Sequence, residues 1–329
     1  MLRLAKQCIA LVLIALPIWS SRAQAEDYPS RVITLVVPFA AGGPSDVIAR
    51  LVAQSMSQSL KQQIVIENVA GAGGTVAAAR VARSAPDGYT LLIHHLALAA
   101  AASLYNLPYE TKTDFEPIGL INTGPMVLVG RKTLVANTAS ELVDYLKNGA
   151  DKITMAHAGV GSNGYLCALL LSQAIGTKPV YVPYNGTGPA MNDLLSGQVD
   201  VLCDQTTNAV PQILGGTVKG YIVTSAEPLN VIKDVATVKA ANLPTLEMSI
   251  WHGIYAPKGT APEVVAKLNQ ALAIALSQPF VAARFQDVGT SLFPKDEWSP
   301  TAHQKRFLVE IDRWKTALQA AGVSPANVR

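Results

Sequence analysis

The segment HAGVGSNGYLCALLL, residues 157–171, contains a literal G-x-G-x-x-G at Gly159, Gly161 and Gly164, between a strand-like and a helix-like run. A second glycine turn, VPFAAGGPSDVIARLVA over residues 37–53, has the same setting. Glycine lets backbone come close to a ligand. A helix start adds unpaired N–H groups and the positive end of a dipole. The chemistry on offer is therefore the holding of an anion, a phosphate or a carboxylate, at about 0.3–1 kcal/mol per helix end and more when buried. Gly43 suits a cap, Pro44 the first helical position and Asp46 the first turn. Either turn alone reads equally well as a capped helix without a ligand. Two such turns in matching positions of two halves favour a ligand.

Other chemistries fit less well. A dinucleotide site needs an acidic residue at the end of the strand after the glycines. That strand, PVYVPYN, ends in Tyr184 and Asn185, which leaves a nucleotide-dependent oxidoreductase as a remote alternative. VGSNG has Val160 where the G-x-S-x-G elbow needs its first glycine. The five histidines, His94, His95, His157, His252 and His303, form no H-E-x-x-H, and no phosphate-loop lysine follows either turn. No metal, cofactor or catalytic residue is expected. The loops over residues 39–46, 70–75, 94–106, 157–164, 184–189 and 204–211 contain no Arg or Lys, so a bidentate arginine is not available to an anion there.

The elements that must position these turns follow a repeating order. RVITLVVPF, QQIVIENV and YTLLIH are strand-like runs, and a helical stripe Val47, Ile48, Leu51, Val52, Met56, Leu60 follows the first. The pattern restarts with DKITMAHA, KPVYVPYN, VDVLCD and VKGYIVTS. Continuously apolar strands are covered on both faces, which points to parallel sheets. FEPIGLINTGPMVLVGRK and SIWHGIYAPK join the halves, and the last three helices return to cover the first half. The expected fold is α/β, with two lobes, two parallel-rich sheets and two crossing strands. Lobe 1 is read as residues 26–123 with 252–329, and lobe 2 as 124–251. Trp251 and His252 fall on the return strand, as hinge or wall.

The first 25 residues read as a leader: Arg3 and Lys6, the apolar core CIALVLIALPIW, then AQA before Glu26. The core is too short for a membrane span. The chain has 26 basic and 23 acidic residues, and Arg3, Lys6 and Arg22 lie in the leader, so the remainder balances at 23 against 23. With no basic stripe, a nucleic-acid partner is not expected. Cys167 and Cys203 remain after cleavage, and in an oxidising compartment they either pair or stay as buried thiols. Their spacing does not decide.

Across nearly all of the mature chain the sequence resembles the Bug/TctC-type solute-binding proteins of the tripartite tricarboxylate transporter family. The resemblance is carried by YPSRVITLVVPFAAGGPSDVIARLVA, GAGGTVAAARVARSAPDGYTLLI, LYNLPYETKTDFEPIGLI, VPYNGTGPAMNDLLSGQVDVLCD and IYAPKGTAPEVVAKLN. It implies a periplasmic monomer of type II-like, hinge-closing fold that presents a small carboxylate, aliphatic or aromatic, to the large and small membrane permease subunits. The same fold also serves as the ligand-presenting partner of sensor kinases. In the first turn it implies ligand contacts from Phe39, Ala40, Ala41, Gly42, Gly43, Ser45 and Asp46. In the second it implies Gly159, Gly161, Ser162 and Asn163, with Ser162 as hydroxyl donor and N-cap. It adds Tyr184, Gly186 and Thr187, and then Asp204 and Gln205, where Asp204 orients neighbouring hydroxyls or amides. His94 and His95 occupy the ligand-selecting loop in place of small polar residues; one faces the cleft and the other packs. The exported protein is expected to begin at Glu26, and a mass spectrum retaining Met1 would contradict cleavage.

Overall fold

The computed structural model describes residues 28–149 and 151–323, and the leader expected over residues 1–25 lies outside them. The elements begin β1 (Ile33–Val37), α1 (Pro44–Leu60), β2 (Ile64–Asn68), α2 (Thr75–Ala82), β3 (Thr90–His95), α3 (Ala97–Ala101) and β4 (Phe115–Arg131). Next come α4 (Ala139–Gly149), β5 (Thr154–His157), α5 (Asn163–Ile175), β6 (Val180–Pro183), α6 (Thr187–Ser196), β7 (Val201–Gln205), α7 (Thr206–Leu214), β8 (Val218–Val223) and β9 (Ala236–Thr237). The chain ends with β10 (Ser249–Pro257), α8 (Pro262–Leu276), α9 (Pro279–Asp287), β11 (Ser291–Leu292) and α10 (Pro300–Ala320).

The main strand order is β2-β1-β3-β10-β4-β7-β5-β6. β1 runs parallel to β2 and β3, and β5 runs parallel to β6 and β7. These are the β-branched, doubly covered runs of the sequence. β1 and β7 are almost wholly buried, as parallel strands under helices must be. β4 and β10 are antiparallel to each other and cross between the two parallel sets. The result is two lobes of parallel-rich sheet joined by two crossing strands. No single described helix is long and apolar enough to cross a membrane.

The crossing is sharply defined. β4 pairs with β10 as far as Pro125 and takes β7 as its partner from Met126. Proline has no N–H to give to a ladder, and here it stands at the change of partner. Thr224, fully buried just after β8, ties both crossings together. Its Oγ1 accepts from Met126 N at 2.8 Å and donates to Met248 O at 2.6 Å, and its backbone bonds the same two residues at 2.9 Å each.

The C-terminal helices return to the first lobe. α8 packs on α1 and β4, and α10 packs on β4 and α3. α4 was not read from the sequence. It buries Leu142 and Leu146, and Ala139, Val143 and Tyr145 pack partly against the same core.

Cys167 of α5 and Cys203 of β7 are joined by a disulfide, with Cα atoms 6.3 Å apart and 36 residues between them in sequence. One turn earlier, Gly164 lies so close to β7 that a Cβ there would stand 2.9 Å from Cys203 O. The bond therefore clamps the start of α5 to the end of β7. Removing it with Cys167→Ala and Cys203→Ala together should cost about 2–4 kcal/mol of stability. Urea unfolding of the double variant measures this, and an unchanged midpoint would contradict it.

Candidate functional site

Four helices start at the carboxyl ends of the strands, where open parallel sheets place their ligands. α1 is capped by Gly43, with Pro44 in the first turn. α5 is capped by Ser162, whose Oγ accepts from Tyr165 N at 3.2 Å. α6 is capped by Gly186, and α7 springs from Gln205 at the last position of β7. Their first residues line one cavity: Gly43, Pro44 and Ser45 from α1, Ser162 to Gly164 from α5, Thr187 from α6 and Gln205 from α7. Phe39, His95, Met126, Ala158 and Asp204 complete the wall. No Lys or Arg is among these residues. Orphan N–H groups and helix dipoles thus supply the positive potential.

The histidines are now separated by role. His95 lines the cavity, its ring stacked on Phe39 with centroids 5.0 Å apart. His94 packs behind it, against Gly74, and its Nδ1 accepts from His95 N at 2.9 Å. His252 lies opposite His95 in the β3–β10 ladder and reaches Ser45 Oγ with Nε2 at 3.4 Å. Its Nδ1 has no partner, so the Ser45–His252 pair lacks the orienting carboxylate of a hydrolytic triad. Among the described residues no cluster of His, Cys, Asp or Glu is placed to hold a metal ion.

Asp204 is fully buried, and burial pushes its carboxyl up to about 6. Hydrogen bonds from Asn208 Nδ2, Gln205 N (2.8 Å) and Thr187 oppose that shift. The carboxylate is thus spent on orienting its neighbours. Asp46 has a different post. Its carboxylate takes Arg50 at 2.9 Å, Asn68 Nδ2 at 3.0 Å and Gly42 N at 3.1 Å, and so fixes the first glycine turn. Burial alone would raise its pKa, but these bonds outweigh burial and hold it below the ordinary value.

The lobes meet around the cavity. Ala40 N donates to Asn185 O at 2.9 Å, and Tyr105 OH donates to Val160 O at 2.6 Å. Gly73, at φ +62°, lies under Val160; a Cβ there would stand 2.0 Å from Val160 O. Only glycine allows both this backbone conformation and this approach.

Of the residues singled out from the sequence, the structure brings Phe39, Gly43, Ser45, His95, Ser162, Asn163, Thr187, Asp204 and Gln205 to the cavity wall. Gly159 and Tyr184 line an adjoining groove instead, and Tyr184 OH donates to Asp193 at 2.7 Å. Ala40, Ala41, Gly42, Asp46, His94, Gly161 and Gly186 are not on the wall. They shape the turns or meet the opposite lobe: Gly161 abuts Leu104 and Tyr105, Gly186 abuts Ala40, and Ala41 O faces Gly188. Pro44, Met126, Ala158 and Gly164 line the cavity without having been named as site residues. Gly164 was visible as the third glycine of the fingerprint. Met126 carries no local signal, because only the crossing of β4 brings it there.

The family described as "Tripartite tricarboxylate transporter family receptor" matches residues 48–323. The UPF0065 protein in the TAR-I ttuE-ttuC' intergenic region of Agrobacterium vitis is 46% identical over 317 residues, 95% of this chain and 91% of that relative. The solved structure of the periplasmic binding protein BugD superposes with a TM-score of 0.89 at 43% identity, covering 91% of this chain and 100% of that one. MatC from Rhodopseudomonas palustris with bound malate gives 0.86 at 42% identity, covering 88% and 100%.

The buried titrating groups make a pH prediction. All five histidines are held below their usual value by burial: His94 at about 4, His252 and His303 at about 3, His95 well below it, and His157 also lowered. The unfolded chain therefore binds more protons below about 6.5, and stability should fall as pH drops through that range. Asp204 has the opposite sign. Its folded value is raised, so its contribution is complete below about 3.8 and is lost as pH rises through about 6. Asp204→Asn should thus gain on the wild type by about 2–3 kcal/mol between pH ~4 and pH ~7. Denaturant titrations at the two pH values measure this. A difference independent of pH would contradict it.

Proposed function

The chain belongs to the tripartite tricarboxylate transporter receptor family, and from that premise we propose that it captures one small carboxylate between its lobes and delivers it to the large and small permease subunits of such a transporter. The family consists of periplasmic solute-binding receptors and not of enzymes. One observation carries the ligand reading. Four helix N-termini converge on a cavity lined by Ser45, Ser162, Thr187, Asn163 and Gln205 and by no Lys or Arg. Such a wall offers helix dipoles and hydrogen-bond donors without a fixed cation, and its one carboxylate, Asp204, is already met by Asn208, Thr187 and Gln205 N. That suits a carboxylate, and a relative at 42% identity was solved with malate bound.

In this reading the turns of both lobes take the ligand, with Ser45 and the start of α1 on one side and the starts of α5, α6 and α7 on the other. Phe39, Met126 and His95 set the space available. We assign residues 26–123 with 252–329 to one lobe and 124–251 to the other, because β4 changes partner at Pro125 and Met126. Export through the leader, with cleavage after Ala25, brings the chain to the periplasm.

A ligand that touches both lobes has more contacts when they are closed, so it shifts the population toward closure. A thermal-shift screen of the purified protein against mono-, di- and tricarboxylates and aromatic acids should find a stabilising ligand. At 100 times its dissociation constant the expected gain is about 2.7 kcal/mol. Small-angle scattering with that ligand should show a smaller radius of gyration than without it. A screen with no stabilising carboxylate would overturn the reading.

A further inference from the structure

The cavity wall is rich in donors, but two of its side chains also need something to accept from. Asn163, in the first turn of α5, is only 2% exposed, and neither its Nδ2 nor its Oδ1 has a partner in the protein. Gln205, the cap of α7, is 6% exposed, and its Oε1 is likewise without a partner. Both residues line the cavity. An asparagine with both ends of its amide free presents two N–H donors at one end and an acceptor oxygen at the other, whichever way it is turned. Asp204 leaves no comparable vacancy, because its oxygens already receive Gln205 N and Asn208 Nδ2.

A carboxylate at neutral pH only accepts hydrogen bonds. It can satisfy the helix N–H groups, the hydroxyls and the Asn163 amide nitrogen. It cannot satisfy Asn163 Oδ1 or Gln205 Oε1, and buried acceptors left unmade are costly. A hydrogen-bond donor on the ligand, placed beside its carboxylate, would satisfy them directly and in place of water. Asn163 also belongs to the first turn of α5, whose N–H groups are free to take the anion. The donor and the carboxylate are therefore read within reach of one residue.

We infer that the preferred ligand carries a hydrogen-bond donor, a hydroxyl or an ammonium, on the carbon beside its carboxylate, and that Asn163 and Gln205 are the residues that select it. This rests on the carboxylate reading above and narrows it, since plain diacids become poor ligands. A site built around a buried hydrogen bond rejects the analogue that lacks the group, because its own polar atoms are then left unpaired.

Titration calorimetry on matched ligands tests this. Succinate is compared with malate and aspartate, and phenylacetate with mandelate and phenylglycine, using both enantiomers of each chiral acid. In at least one set the hydroxy or amino acid should bind ten times or more tighter than its plain partner, about 1.4 kcal/mol. Whether the hydroxy or the amino acid is the tighter identifies the donor. In Asn163→Ala and in Gln205→Met that ratio should shrink to less than threefold, with folding checked by circular dichroism. Equal binding of plain and donor-bearing acids would overturn the inference and leave the carboxylate reading standing. So would a ratio that survives both substitutions in folded protein. If neither variant folds, the wild-type ratio alone decides. No binding of any of these acids, nor of longer diacids, would overturn the carboxylate reading and this inference with it.

Discussion

The convergence of four helix N-termini on one cavity is the constraint from which the rest of the structure follows. Each helix end offers N–H groups that have no partner within the helix. Its dipole favours a negative charge by about 0.3–1 kcal/mol, and by up to about 2 kcal/mol in a partly buried geometry. An isolated end is weak. Several ends aimed at one volume replace the arginine that an anion site would otherwise use. They do so without long side chains that must be ordered on binding, and without a buried cation left unpaired when the cavity is empty.

That arrangement demands exact placement of backbone, and the supporting contacts supply it. Asp46 fixes the turn before α1 by gathering Arg50, Asn68 and Gly42 N. Gly164 lets α5 come down onto β7, and the Cys167–Cys203 bond holds it there. Asp204 orients Asn208, Thr187 and Gln205 N. Thr224 ties the two crossings at Met126 and Met248, so that the part of the chain where the lobes join also borders the cavity through Met126. Tyr105 and Gly73 meet Val160 at the rim, where loops of opposite lobes come into backbone contact.

Much of this was legible in the sequence, for local reasons. Apolar runs ending in glycine give strand-to-helix turns, and their repetition gives two lobes. Gly43, Ser162 and Thr187 were readable because a helix start has its own chemistry. The absence of Arg and Lys from the loops pointed to backbone recognition before any geometry was known. What stayed hidden depends on distance along the chain. Met126 reaches the wall because β4 changes sheets, and Tyr105 meets Val160 across 55 residues. His94 and His95 are alike in sequence, and only the packing of Gly74 and Phe39 assigns one to the interior and one to the cavity. Asp46 and Asp204 show the limit of inference by residue type. Asp46 lies in the first turn of α1 and Asp204 just before α7, and both carboxylates are committed to neighbouring donors.

The central claim is that fixed dipoles, not cations, hold the anion. The dependence of affinity on salt tests it most directly. Exposed charges are screened over about 10 Å at 0.1 M ionic strength, whereas groups inside a closed cavity are screened much less. Calorimetry of the tightest carboxylate at about 20 mM and about 500 mM salt should give dissociation constants within about threefold of each other, since no long-range field steers the ligand. A loss of tenfold or more at the higher salt would show that a basic side chain supplies the field, and would contradict the account.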